Sequence, residues 1–382
     1  MSDRHKPASL SWWRDFWAEN DLCLYGGKAA GSDCLDDWPI SPAFTTDRTR
    51  VPVLIEPGEN WIIEQMQVPY RRFIQDFEFQ QEVHEACAAR VLRDIGLRIK
   101  PHVHSSSLLH GSVYGNPIEY PEDSTPWLGQ LIHCPDDIRR LIDRMERADL
   151  SQAGLVPWFV SCYRSLGRPY RMRILHDATS VHGPATILGF LCGVSGFMLL
   201  LYDQPDLMQA LLKLVGEVTV AYSRTVRHLT GSAASGVGVF DDVAGLVSPR
   251  HFQRFFLPVY ERIYSELAPE PGDDRFYHND ASVGHLLGFL RDLGVNGINP
   301  DPDTDPKLIR EQLPRAIIYG CVPPLLFKEG SPERVLSAAR KSIDSAAEGG
   351  GFVLTTAGGI SGVIPYANVQ ALCEAAERYG RY

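Results

Sequence analysis

The chain has 382 residues, 44% hydrophobic and 22% charged, the balance of a globular protein with ample core, and its length suits one α/β barrel with insertions or two smaller domains. The formal net charge is −10, with 37 Lys and Arg dispersed among 47 Asp and Glu, which argues against a phosphate-backbone partner, so no nucleic acid is expected. The 8 cysteines are spread singly without a CxxC pair, as in a reducing compartment, and a cytoplasmic location follows as an expectation.

The opening residues, MSDRHKPASLSWWRDFW, carry charge on both sides and lack an apolar core of signal-peptide length, so export is not expected. Residues 1 to 46, with Trp12, Trp13 and Trp17, read as an N-terminal extension packed on a domain that runs from 47 to 382. Val51 to Glu56 (VPVLIE) has strand character. An amphipathic helix from about Phe79 to Ile95 leads to a second strand, Leu97 to Val103 (LRIKPHV). Residues of about 110 to 165 read as an insertion, helical around Pro135 to Leu150.

Arg171 to His176 (RMRILH) is the expected third strand. Ala185 to Tyr202 (ATILGFLCGVSGFMLLLY) is long enough to be mistaken for a membrane span. Its three internal glycines and the flanking Asp203 and Asp206 favour a buried helix and turn, so no membrane contact is expected. A long helix follows over Leu207 to Leu229. Gly236 to Asp241 (GVGVFD) is a strand, and Ser248-Pro249 opens a helix to about Leu267, serine as N-cap and proline at the first position.

Arg275 to His278 (RFYH) precedes a helix over Ser282 to Leu293, and Val295 to Asn299 (VNGIN) precedes a short helix from Asp305-Pro306. Ala316 to Cys321 (AIIYGC) pairs with the helix from Ser331-Pro332 to Ala347, and Phe352 to Thr356 (FVLTT) with Pro365 to Tyr379. Eight strands alternating with helices predict an α/β fold, a closed (β/α)8 barrel. An open doubly wound sheet is the second choice, but no GxGxxG or GxxxxGK[ST] follows a strand to cradle a nucleotide.

In such a barrel every strand's carboxyl end opens on one mouth. The residues gathered there would be Glu56, His102, His104, His176, Asp177, Asp241, Asp242, His278, Asp280, Asn299, Asp301, Cys321, Thr355 and Thr356, whereas His110, His182 and His285 fall outside it. The Tyr277-His278-Asn279-Asp280 junction is the most informative, because a histidine and a carboxylate two positions apart at a strand end can bind a metal or place an acid or base over a substrate. His278, Asp280 and His102 are the first metal-ligand candidates, with His104 as the alternative third. Asp241, Asp242, His278 and Asp280 are the catalytic candidates, and His102, His104, His176, Tyr277, Asn279 and Thr356 the candidate substrate contacts. The bland alternatives are loop capping by Asp241-Asp242 and turn chemistry in the proline-rich NPDPDTDP around Asn299 and Asp301.

From about Asp47 onward these residues resemble the superfamily of uroporphyrinogen decarboxylases and cobalamin-dependent methyltransferases. The resemblance rests on HGPATILGFLCGVSGFMLLLYDQPDLMQALL at 182 to 212, FDDVAGLVSPRHFQRFFLPVYERI at 240 to 263, YHNDASVGHLLGFLRDLGVNGIN at 277 to 299, YGCVPPLLFKEGSPERV at 319 to 335 and GGGFVLTTAGGISGVIPYANVQAL at 349 to 372. It implies a (β/α)8 barrel and one of two chemistries. The decarboxylases work on a tetrapyrrole without a cofactor, using an aspartate after the second strand and a histidine in the last glycine-rich loop. Here those places read PHVH and TTAGGISG.

The methyltransferases hold zinc through His-x-Cys-Gly at a strand end and a cysteine in the last loop. His278 matches the histidine, Asp280 stands at the cysteine, Ala281 at the glycine, and Thr355, Thr356 and Ala357 lie at the second cysteine. A His/Asp site would favour a harder ion than thiolates do. The resemblance implies an enzyme that moves a methyl group from a small methylated substrate to a corrinoid on a partner protein, with a divalent metal such as zinc at the mouth and the homodimer common in the superfamily. The competing readings are a cofactor-free decarboxylase of a polycarboxylate, with His102, His104 and Arg173 binding carboxylates and Asp241 relaying a proton, and a barrel that binds without catalysis.

Overall fold

A computed structural model describes residues 50–55, 58–95, 103–104, 107–167, 170–171, 174, 178–232 and 236–382. A small antiparallel ribbon, β1 (Ile118–Glu119) with β2 (Trp127–Leu128), precedes the main sheet. That sheet has six strands, all parallel and adjacent in chain order: β3 (Val181–His182), β4 (Val237–Phe240), β5 (Arg275–His278), β6 (Gly297–Asn299), β7 (Ile317–Val322) and β8 (Phe352–Thr356). Val53 bridges Leu354 in the parallel sense. Leu54 N–H donates to the Leu354 carbonyl (2.9 Å) and Leu354 N–H to that of Pro52 (2.8 Å), so the first described segment lies against β8 and curls the sheet toward closure. The architecture is a (β/α)8 barrel.

Leu97 to Val103 lies outside the described residues except for Val103. Of the expected third strand, Arg171 to His176, only Arg171 and Ile174 are among the described residues, and both are helical; the strand that pairs with β4 is Val181–His182. Arg, Met and Leu dominate RMRILH and favour helix as readily as strand, so its apolar character misled. The helix predicted from Ser282 begins later, as a 3₁₀ turn Gly284–Leu286 continuing into Leu287–Asp292. Asn279 Oδ1 accepts from Ala281 N–H (2.7 Å) and holds the chain in a turn beforehand.

Other helix starts follow their sequence signals. Ser248 Oγ accepts from His251 N–H and Asp305 Oδ1 from Lys307 N–H. The helix from Pro249 to Leu267 has a π-turn at Phe252–Phe256 just before Pro258, whose ring nitrogen has no hydrogen to donate. Helices Pro184–Cys192 and Val194–Asp203 meet at 102°. Gly193 makes the bend at φ 72°. Among the described residues no single helix is long and apolar enough to cross a membrane, though this bent pair would be by length and composition.

The pleat sorts residues between lumen and helix layer. Leu54, Phe276, Ile317, Tyr319 and Val353 pack together as the barrel's inner core. Glycines make room for the rings: a Cβ on Gly297 would lie 3.1 Å from the Phe276 ring, and one on Gly238 3.2 Å from Phe240. The alternate positions face the helices, as when Tyr277 meets Tyr260 with ring centroids 6.1 Å apart.

Asp241 belongs to the helix-facing set and is fully buried. Its carboxylate accepts from Ala185 N–H (3.2 Å), Thr186 N–H (2.6 Å) and Thr186 Oγ1 (2.9 Å), and from the Tyr260 hydroxyl. The N-cap of Pro184–Cys192 is Gly183, which has no side chain, so Asp241 does the capping from another strand. A Cβ on Gly183 would sit 2.3 Å from that of Asp241, which fixes glycine there. Burial pushes the Asp241 carboxyl up to about 6, against the opposing pull of the Tyr260 and Thr186 hydrogen bonds. Asp241→Ala strands four buried donors and is expected to cost about 3 kcal/mol or more. The drop in urea midpoint measures it, with Tyr260→Phe expected to cost a fraction of that.

Candidate functional site

The carboxyl ends of β4, β5 and β6 bring together Asp242, His278, Asp280 and Asn299. His278 ends β5; by the parallel register it stands between Phe240 and Asn299, and its ring lies 5.3 Å from that of Phe240. Its Nε2 is 3.3 Å from Asp280 Oδ1 and 3.4 Å from Asp242 Oδ1. The side chains grade from 12% exposed at His278 through 44% at Asp242 to 60% at Asp280, so the cluster opens to solvent on its carboxylate side.

Asn299 sets the imidazole. Its Nδ2 donates to the carbonyls of Tyr319 (2.5 Å) and Thr356 (3.1 Å), which turns Oδ1 toward the site. Oδ1 then accepts from Gly358 N–H (3.0 Å) and from His278 Nδ1 (2.8 Å). The proton therefore belongs on Nδ1, and Nε2 is left to face the two carboxylates. Gly358 has φ 85°, and a Cβ there would come within 2.9 Å of Asp280 Oδ1, so the last loop approaches because it has no side chain at that point.

The charges are coupled. Burial acts to lower the His278 pKa, but the Asp280 hydrogen bond and the fields of Asp242 and Asp280 outweigh it, and the net direction is upward. Asp280 is held below the usual carboxylate range by its bond to His278. Burial raises Asp242, with His278 opposing and Asp280 adding to the rise.

Two chemistries suit this cluster. Protonated, His278 is an acid clamped between carboxylates. Deprotonated, the three groups are a ligand set: their donor atoms all lie within 4.8 Å of one another. Tetrahedral zinc with bonds of about 2.0–2.1 Å needs donors separated by roughly 3.3–3.4 Å, and both distances from Nε2 fall there. One imidazole and two carboxylates leave a fourth position for a small molecule, as catalytic zinc sites do. A ligating histidine usually donates its other ring N–H to an oxygen acceptor, the place that the Asn299 carboxamide oxygen fills here.

His102 and His176, with Glu56, Asp177 and Arg173, lie outside the described residues. Among the described residues the carboxylate that joins His278 and Asp280 is that of Asp242. His104 is held among the helices: its N–H donates to Gln80 Oε1 (2.7 Å), Nδ1 is 3.7 Å from Glu59, and its ring is 5.2 Å from that of His84. Tyr277 and Asn279 have no exposed surface. Asn279 Nδ2 donates to the Asp241 carbonyl and to Tyr277 Oη (3.1 Å), so these two brace the strand end and do not line the lumen. Thr356 is buried with its hydroxyl on the Gly358 carbonyl, shaping the last loop. Asp241 is spent on its helix cap, and Asp301 on a turn, accepting from Asp303 N–H, Thr304 N–H and Thr304 Oγ1.

His285 is on the Val247 carbonyl, away from the cluster. His182, expected outside the mouth, is paired with Phe240 at the end of β3 and so stands in the same row as His278. The roles of Asn299 and Gly358 were missed, although Asn299 was placed at a strand end: a carboxamide there carries no charge signal, and a glycine's close approach is visible only in three dimensions.

A (β/α)8 barrel with an imidazole–carboxylate cluster at the carboxyl mouth defines the class. Comparison narrows it: residues 102–379 match the family model for uroporphyrinogen decarboxylase (URO-D), and the chain belongs to that family. Its characterised members are enzymes, methyltransferases or decarboxylases. The chain is 25% identical over 259 residues to the methylcobamide:CoM methyltransferase MtbA of Methanosarcina acetivorans, covering 66% of this chain and 74% of that one. It is 24% identical over 280 residues to uroporphyrinogen decarboxylase of Coxiella burnetii, covering 70% of each. A solved methyltransferase from Methanosarcina mazei superposes with TM-score 0.66 at 20% identity, over 89% of this chain and 98% of that one, a likeness of fold.

If Asn299 sets the imidazole for ligation, Asn299→Ala should weaken zinc binding about 10–100-fold with the fold retained. Competition with a chromophoric chelator, alongside circular dichroism, checks it; unchanged affinity removes Asn299 from the site.

Proposed function

We propose that this protein is a methyltransferase that exchanges a methyl group between a small molecule and a corrinoid carried on a partner protein, at a divalent-metal site formed by His278, Asp242 and Asp280. The observation that carries the reading is the spacing of Nε2 from both carboxylates, too long for strong hydrogen bonds and suited to a shared ion. The likeness to a methylcobamide:CoM methyltransferase supports it.

A bound zinc would polarise the heteroatom that gains or loses the methyl group. The chain's own residues do the rest. Asn299 keeps the Nδ1 proton in place, so Nε2 stays available. Asp242, rooted beside the Asp241 cap, and Asp280, pressed from behind by Gly358, hold their carboxylates at the open side. Phe240 walls the lumen next to the imidazole and gives a methyl group an apolar surface. With two carboxylates and oxygen donors instead of thiolates, the site suits zinc or a harder ion such as manganese.

Decarboxylation of a polycarboxylate fits the geometry less well. Two carboxylates at the mouth repel such a substrate, and Asp241, the expected proton relay, has no exposed surface.

Purified protein is expected to take up about one zinc per chain by elemental analysis, and His278→Ala to lose it while staying folded. Because the His278 pKa is raised, protons compete with metal, so zinc affinity should climb as pH rises above about 6.5. The sign for the metal-free fold is opposite: the raised imidazole stabilises fully below its unfolded pKa and less as pH rises through its folded one. Thermal melts with and without zinc from pH 6 to 9 separate the two trends. Demethylation of methylcobalamin by small thiols, followed by absorbance, tests activity; metal-free protein that instead releases CO2 from a porphyrinogen polycarboxylate would overturn the proposal.

A further inference from the structure

A second imidazole occupies the same row of the lumen. The register pairs His182 with Phe240, Phe240 with His278, and His278 with Asn299, and residues paired in a parallel sheet project to one face. Gly183, the next residue, faces Asp241 in the helix layer, which leaves His182 turned inward. Two strand spacings of roughly 4.8 Å put the His182 and His278 backbones about 10 Å apart, with the Phe240 side chain between them.

The His182 ring is held rather than loose. It stacks on His110 (centroids 5.9 Å, planes 9° apart) and meets the edge of Phe190 at 5.1 Å. The His182 backbone N–H donates to His110 Nδ1 (3.0 Å). His182 Nδ1 is buried without a hydrogen-bond partner, while the residue as a whole keeps some exposed surface. A proton on Nδ1 would be a buried donor with nothing to receive it, so the proton belongs on Nε2. Burial pushes the ring's pKa down to about 4, and it is neutral at physiological pH. No partner drawn from the protein's own described residues explains why a polar ring is fixed in this row.

We propose that His182 is a specificity-determining residue that donates its Nε2–H to an uncharged acceptor oxygen, a carbonyl or its equivalent, at the end of the substrate remote from the Asp242–His278–Asp280 cluster. The substrate then spans the Phe240 ring, with its reacting heteroatom at the cluster, an apolar middle, and an oxygen at His182. A neutral donor suits an uncharged acceptor, and the two carboxylates nearby disfavour an anionic one. The inference extends the proposed methyl-transfer reading by giving its small molecule a length and a second polar end.

The test uses zinc-loaded protein and two probe series titrated by calorimetry: mercapto-amides HS–(CH2)n–CONH2 with n from 1 to 4, and alkanethiols of matching length. One length of amide is expected to bind about 10-fold more tightly than its alkanethiol, the worth of one hydrogen bond. His182→Phe should bring that ratio to about 1 with zinc content unchanged, and His182→Gln, which keeps a donor near the Nε2 position, should restore most of it. A ratio near 1 in the unmodified protein, or one untouched by His182→Phe, overturns the proposal.

A second measurement needs no metal. In protein labelled with 15N-histidine, the His182 ring, identified by its loss in His182→Phe, should show the Nε2–H tautomer from about pH 6 to 8, and its Nε2 resonance should shift on titration with butyramide. A ring that carries its proton on Nδ1, or one that the amide leaves unmoved, overturns it too. Failure to take up zinc would sink the metal reading alone, because the amide titration stands without the ion.

Discussion

The carboxamide of Asn299 is the constraint on which the site depends. Its four hydrogen bonds reach His278 on β5, the Tyr319 carbonyl on β7, the Thr356 carbonyl at the end of β8, and Gly358 in the last loop. Strand ends in a barrel splay as they leave the sheet, and their backbone groups would otherwise turn to water. One amide draws three of them together and orients an imidazole in the same act. An aspartate there would lose both donations, and a hydrophobic residue would lose all four contacts.

Around that amide the pleat separates support from chemistry. Helix-facing residues are consumed by the scaffold: Asp241 caps a helix, and Tyr277 and Asn279 brace one another. Their neighbours one position away, Asp242, His278 and Asp280, point where a small molecule can arrive. A buried carboxylate with four satisfied donors is stable and inert, whereas three partly exposed groups with mismatched protonation preferences are poised for reaction. Both kinds of aspartate stand side by side in the chain, and only the fold distinguishes them.

That is also where sequence reasoning stopped. Periodicity revealed the barrel, five of the six strands in the main sheet, and the helix starts at Ser248, Asp305 and Ser331, because period and capping are local properties. It misplaced β3, a strand of only two residues, too short for any alternation to register. The Tyr277-to-Asp280 junction was legible as a site, yet its four residues divide by parity, Tyr277 and Asn279 outward and His278 and Asp280 inward. A strand assignment one residue out of step would exchange those roles. Asp242 as the third member, Asn299 as the orienting group and Gly358 as the point of close approach depend on contacts across 21 to 78 positions of chain, which no local pattern encodes.

The Gly183–Asp241 contact has one more consequence. Because a Cβ on Gly183 cannot coexist with the carboxylate of Asp241, the chain just after His182 is pinned by a backbone fit rather than by side-chain packing. Whatever group stands at position 182 inherits a fixed location and direction at the mouth, independent of its own size or polarity. The barrel thereby contains a socket: an anchored position, one residue before an obligatory glycine, where the lumen's chemistry can be exchanged while the helix cap beneath it stays the same.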